Sequence, residues 1–415
     1  MNRNIYIGVG VVVVLVITLT LSFLSDALRI VKGTPKGDVN GGNYYDKVVT
    51  HRGVRMMVQP KDIVKTGRTA EDVPPLTDPK FVSIDEAVEQ KFLHTDLYGL
   101  QLFDGENYRF YPLEILAWHE LVFDQIGETP IVVTYAPLTD SFAVFENTSE
   151  LDLAYSGFVF NNNSLLLDRA SNTLYSQLLG KGVYGVNTGS ALTTYPSSII
   201  QWETFAQSHP DGQVISSQTG YDFSYELSPY GTYLVSRSIP FPLAHESWSA
   251  RLAKDGLFGV FHDGGAKAFD VVAIISESNG VKNDVFGNRA FVVWVDKFGA
   301  LHVNERGDER FVRAEKAALV DEEGNRWEFD SMTQSLTFDK NVRRDVPAIR
   351  IFWFAWASTF PQTEIYGRTR KQGFVDGTFV GEISPVDEGV RIEVDEAAIE
   401  GGAAIVDFEA NEANE

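Results

Sequence analysis

Residues 130–146 read PIVVTYAPLTDSFAVFE, a β-branched run, a Pro-centred turn and a second apolar run. Short apolar runs bounded by Pro and Asp predict two strands joined by a tight connection. The turn, Ala136 to Asp140, sits where the rim of a site could be, yet it carries no thiol and no imidazole. A second stretch with the same plan, RAFVVWVDKFGALHVNE, occupies residues 289–305.

Further landmarks recur on either side of these hairpins. LFDGENYRFYP at 102–112 parallels VFHDGGAKAFD at 260–270, with Asp104-Gly105 matching Asp263-Gly264, and LLDRASNTLY at 166–175 parallels LVDEEGNRWE at 319–328. Each half closes on a Trp ahead of a Pro, Trp202 with Pro210 and Trp353 with Pro361. One order at a near-constant offset predicts an internal duplication: two tandem related β-rich repeats, residues 76–235 and 236–367, in a mainly β (α+β) chain with few helices. A functional cleft is then expected between the two copies, because pockets favour such interfaces.

Two helices stand out within the first copy. PLEILAWHELVFDQIG at 112–127 has Pro at a helix start, apolar residues at near-helical spacing and Gly at the stop, and a second helix is expected over SIIQWETFAQSHP. The second copy has VVAIISESNGVKNDVFG in place of the His-Glu helix, so any special residues belong to the first.

The flanks differ in kind. Residues 1–4 form a short tail, and residues 5–24, IYIGVGVVVVLVITLTLSFL, have the ~20 uncharged residues that cross a bilayer, which predicts a retained signal anchor. Arg3 lies on one side and Arg29, Lys32 and Lys36 on the other. That count leans towards a cytoplasmic body, whereas a short N-terminal tail before a large domain favours an extracytoplasmic one, the orientation expected here. Residues 25–75 are rich in Gly, Pro, Lys and Asp and read as a stalk. Residues 368–415 end in a tail with ten acidic residues and one Arg, which supplies −9 of the formal charge of −22.

Composition removes several function classes. A charge of −22 disfavours nucleic acid as a partner, since phosphate binding needs clustered Lys and Arg. With no cysteine there is no disulfide, thiolate nucleophile, iron–sulfur cluster or Cys-based zinc site. Ser156-Gly157 lacks the Gly-x-Ser-x-Gly elbow, and His119-Glu120 is not followed by the second His of a zincin. No cofactor and no metal are expected; the expected partners are the membrane, through residues 5–24, and an envelope glycan or protein ligand.

The polar candidates form two sets. His119, Glu120 and Asp124 lie on the apolar helix expected at 112–127, where Glu120 and Asp124 share a face. They suit a general acid/base pair or two ligands for a hard metal, or else an ion pair with an Arg such as Arg169 that ties the helix to the sheet. An enzyme requires an open cleft there and a raised carboxylate pKa; a structural cluster requires burial with every polar atom paired. Asp168, Arg169, Ser176 and Gln177 follow a strand and suit ligand binding or a structural turn.

At these residues the chain resembles the bacterial and archaeal family labelled domain of unknown function 3179. The resemblance runs from DPKFVSIDEA at 78 through FYPLEILAWHELVFD, SGFVFNNNSLLLDRASNTLYSQ and WETFAQSHPDGQVIS to FWFAWASTFPQTEIYG. It implicates Tyr111, Pro112, Trp118, His119, Glu120, Asp124, Ser156, Gly157, Asp168, Arg169, Ser176 and Gln177, and implies no established activity. The family's turn typically reads Cys-Pro-Leu-Cys-Gly. Here it is Ala136-Pro137-Leu138-Thr139-Asp140, with both sulfurs gone. The preferred expectation is a membrane-anchored, non-catalytic binding or structural module. The alternative is an envelope hydrolase or metal-assisted enzyme using His119, Glu120 and Asp124.

Overall fold

The computed structural model describes residues 45, 47–51, 53–94, 97–148, 151–245, 251–262, 265–286, 289–315, 317–367, 374–375 and 378–379. The expected anchor at 5–24, the tail at 1–4, residues 25–44 of the stalk, the Asp263-Gly264 match and nearly all of the acidic tail lie outside them. Among the described residues no helix is long and apolar enough to cross a membrane. The chain is mainly β, with five short α-helices among the described residues. The described residues up to 367 belong to one compact unit, and the hairpin Phe374–Val375 with Thr378–Phe379 belongs to a second.

The sheets of the unit come in corresponding sets. In the first half, strand Tyr98–Phe103 pairs antiparallel with Ser198–Gln201 and with Tyr108–Pro112, which pairs parallel with Gln213–Ile215. In the second half, Gly256–His262 pairs antiparallel with Ala348–Phe352 and with Gly265–Phe269, which pairs parallel with Glu364–Tyr366. Three-strand meanders follow the first hairpin and its helix in both halves: Leu121–Ile126, Thr129–Ala136 and Ser141–Glu146 in one, Val281–Phe286, Arg289–Val295 and Leu301–Glu305 in the other. The two stretches quoted above are the central and last strands of these meanders. Trp202 and Trp353 each open a seven-residue helix on the apolar side of its sheet.

Three expectations need correction. The helix expected at 112–127 covers only Leu113–His119. Beyond it, LVFDQI is richer in strand formers and finds a partner in the β-branched run after Gly127. Leu121–Ile126 pairs residue for residue with Thr129–Thr134, so Gly127, with φ 58°, serves a two-residue hairpin turn and not a helix stop. The helix expected over 198–210 begins only at Trp202, because Ser198–Gln201 is a strand. The described part of the stalk is not separate from the body. Val49–His51 and Val54–Met56 extend the sheet formed by Leu153–Phe160, Asn163–Asp168, Thr173–Ser176 and Lys181–Tyr184, and Ile63–Lys65 pairs with Phe158–Phe160 at its other edge. Tyr45, Met56, Val58 and Val73 are buried there, so alternation between Gly and Pro punctuation supplied edge strands where composition read as linker.

The halves share a core. One apolar cluster joins Phe160, Leu165, Leu178 and Val183 of the first half to Leu257, Ile351, Trp353 and Trp356 of the second. Packing is close enough at Gly259 that a Cβ there would sit 2.3 Å from the Trp356 ring. Between the halves, the described residues of 216–255 form one short 3-10 turn, Tyr233–Val235, and bring Tyr221, Tyr225, Tyr230 and Tyr233 onto the first half.

Candidate functional site

His119, Glu120 and Asp124 are not a cluster. The helix Leu113–His119 ends at Glu120, whose left-handed backbone (φ 54°) turns the chain into the next strand. A non-Gly residue in that region costs of order 1 kcal/mol, and the Glu120 carbonyl helps fix it by accepting from the Tyr135 amide at 2.9 Å. Asp124 therefore sits on a strand, and the shared helical face does not exist.

Each side chain enters a different network. His119 is fully buried; Nδ1 lies 2.7 Å from the Pro74 carbonyl and Nε2 lies 2.7 Å from the Tyr225 hydroxyl. A carbonyl only accepts, so Nδ1 carries the proton and Nε2 accepts from Tyr225. Burial lowers the His119 pKa and keeps this tautomer neutral. Asp124 accepts from Arg109 at 3.0 Å, Tyr111 at 2.6 Å and its neighbour's amide, Gln125 N, at 2.7 Å. The expected Arg partner is thus Arg109 instead of Arg169.

Glu120 is the most perturbed of the three. It is buried, accepts a short hydrogen bond from Tyr230 and a long one from Ser164 (3.5 Å), and lies within the field of Arg68, which donates to Tyr230 at 2.6 Å. Burial outweighs these partners and pushes its carboxyl up to about 7. The other candidates spread further. Asp168 is buried at a strand end and accepts from the amides of Asp152 and Ala170 and from the Ser171 hydroxyl, which closes a turn. Arg169 points to solvent, its side chain 62% exposed, and pairs bidentately with exposed Asp152. Ser176 is buried and accepts from the Leu179 amide at 3.2 Å. Ser156 bonds the Leu165 carbonyl, and Gly157, at φ 72°, lies so near the Arg68 carbonyl that a Cβ would approach it to 2.7 Å.

Gln177 belongs to a buried polar knot. Its Oε1 accepts from Ser141 (3.0 Å) and from Asn163 (2.9 Å), and Asn163 also donates to Thr139 at 3.0 Å. The turn of the opening stretch thus ends in this knot and in the seam between halves. Phe352 N donates to the Thr139 carbonyl at 2.8 Å, Tyr233 donates to the Leu138 carbonyl at 2.7 Å, and Arg350 pairs with Asp140.

The seam also borders a partly open cavity of about 570 Å³, within the usual size of small-molecule sites. Phe142 to Phe145, Gln177 and residues 194–197 line it from the first half, and His302, Gln334 and residues 344–349 from the second. Of the sequence candidates only Gln177 reaches it. Its sole acid is Asp345, partly buried, which burial pushes up to about 8. Arg344 beside it is exposed, while His302 is held by Asp296 at 3.2 Å and Gln334 at 3.1 Å. Among the described residues no group of three or more His, Asp or Glu could hold a metal. Sequence reasoning missed Asp345, which lies in NVRRDVPAIR with no neighbouring motif; the landmark counterpart of its segment in the first half, around 190–197, carries no acid.

A family model described as protein of unknown function (DUF3179) matches residues 70–363. No curated protein and no solved structure matches the chain.

Proposed function

The chain belongs to the DUF3179 family of proteins of unknown function, and we propose that it is a non-catalytic binding module whose ligand lies in the cleft between its two halves. The observation that carries this reading is the cavity of about 570 Å³, walled by both halves and edged by polar groups. The corresponding strand orders support the halves being tandem copies of one unit, and a cleft at their junction is where such a pair would hold a ligand. We place this body outside the cytoplasm, anchored through residues 5–24, where an envelope glycan or peptide is available as ligand. The strongly acidic balance supports a partner other than nucleic acid.

The enzyme alternative has one observation in its favour, the Glu120 carboxyl pushed up to about 7. It has less support because Glu120 is buried behind Tyr230, and His119 and Asp124 face other partners. The test is a thermal-shift screen of the full chain in detergent with sugars, short peptides and amines, run beside Ser197→Trp, which places a large ring in the cleft. A ligand at a hundredfold excess over its Kd stabilises by roughly 2.7 kcal/mol, a shift of a few degrees. The binding reading expects a shift in the native protein that Ser197→Trp abolishes. A shift that survives Ser197→Trp places the ligand elsewhere and overturns the cleft.

A further inference from the structure

We infer that the cleft takes an organic ammonium group, with Asp345 as its counterion. This rests on the cleft being the binding site. Asp345 is the only acid on the wall, and it makes no ion pair among the described residues; burial raises its pKa against a backbone hydrogen bond at Val346. The other titratable groups on the wall are Arg344, His302 and Tyr195. Arg344 precedes Asp345 on the same segment and is exposed. His302, from the facing strand, is committed to Asp296 and Gln334. A carboxylate in a wall otherwise built largely from apolar side chains is costly without a cation, and among the described residues no cation is paired with it.

The chemistry of the wall selects the class of cation. A hard divalent metal demands six or more oxygen ligands, and one carboxyl does not supply them. An ammonium group on an apolar stem needs one carboxylate and aromatic or aliphatic surface, which Phe142, Tyr195 and Phe261 provide. The chain's overall negative charge steers cations towards it. An acid that burial holds protonated must ionise to pair, so ammonium binding releases a proton.

The experiment measures binding of three probes with one skeleton, 2-phenylethylammonium, 2-phenylethanol and 3-phenylpropanoate, to the full chain in detergent between pH 6 and pH 8.5. The ammonium is expected to bind at least about tenfold tighter than the alcohol at pH 8.5, with the carboxylate weakest. That advantage falls as pH drops below about 8, where Asp345 takes up a proton. Asp345→Asn is expected to erase both the preference and its pH dependence while the alcohol binds as before, a pattern that titration of His302 alone would not produce. An ammonium that binds no better than the alcohol, or a preference unchanged by pH or by Asp345→Asn, overturns the inference and leaves the cleft standing. If no probe binds, the inference fails, and the cleft stands or falls by the Ser197→Trp comparison in the thermal screen.

Discussion

Arg350 brings Nε and Nη2 to one carboxylate oxygen of Asp140, at 2.9 and 2.7 Å, across 210 residues of sequence. Asp140 closes the Pro137 turn in the first half, and Arg350 sits on the strand Ala348–Phe352 of the second. Tyr135 donates to the other oxygen of Asp140 at 3.2 Å. The turn therefore fastens one half to the other, which is why it needs no reactive group. Removing one partner strands a largely buried charge, so Arg350→Met is expected to cost about 3 kcal/mol. In an Asp140→Ala background the same substitution is expected to cost far less. Chemical denaturation of the four proteins of this cycle reads the difference, and equal costs in both backgrounds would deny the coupling.

Glu120 should leave a signature in the pH dependence of stability. Its folded pKa of about 7 lies above the ordinary 4.5, so between these values the native state holds a proton that the unfolded chain has released. Stability from this group is full below about 4.5 and is lost as pH rises through 7, by about 3 kcal/mol in all. Asp345 slopes in the same direction through about 8. Glu120→Gln is expected to make the decline between pH 5 and pH 7 shallower by the Glu120 share, while leaving the Asp345 slope that continues to about 8. A curve parallel to that of the native protein would contradict the burial of Glu120 as a proton-holding acid.

His119→Ala removes a buried ring together with two hydrogen bonds, and is expected to cost about 3 kcal/mol. Its partners Pro74 and Tyr225 come from chain segments far apart, so the loss should loosen the 216–255 crossover. Limited proteolysis within residues 216–236 is expected to quicken in the variant. Unchanged cleavage with unchanged stability would mean that the imidazole is free for another task.

Gly259 faces the Trp356 ring where the cleft meets the shared core. Gly259→Ala forces the ring to move and is expected to destabilise by about 2 kcal/mol while weakening any ligand of the cleft. A variant of native stability and unaltered binding would show that the wall has slack there.

How much of this was legible follows from range. The β architecture showed in runs such as PIVVTYA and FVVWV, whose partners lie a hairpin away. What failed was set by distant partners. LVFDQI passes for helix until Thr129–Thr134 pairs with it, and Met56 passes for linker until Tyr184, on a strand far along the chain, pairs with it. The same limit governed the polar residues. Local spacing put Glu120 and Asp124 on one face, whereas Tyr230 and Arg109, invisible as partners in the sequence, pull them into separate networks. Asp345 carries no local signature, because what marks it is an empty space bounded by residues from both halves.

The most direct measurement is hydrogen exchange of the full chain with and without the best-stabilising compound of the thermal screen. A ligand in the cleft is expected to slow exchange together at 142–145 and 194–197 in the first half and at 344–349 in the second. Protection confined to one half, or centred on 225–233 over Glu120, would contradict the cleft and return attention to the buried acid.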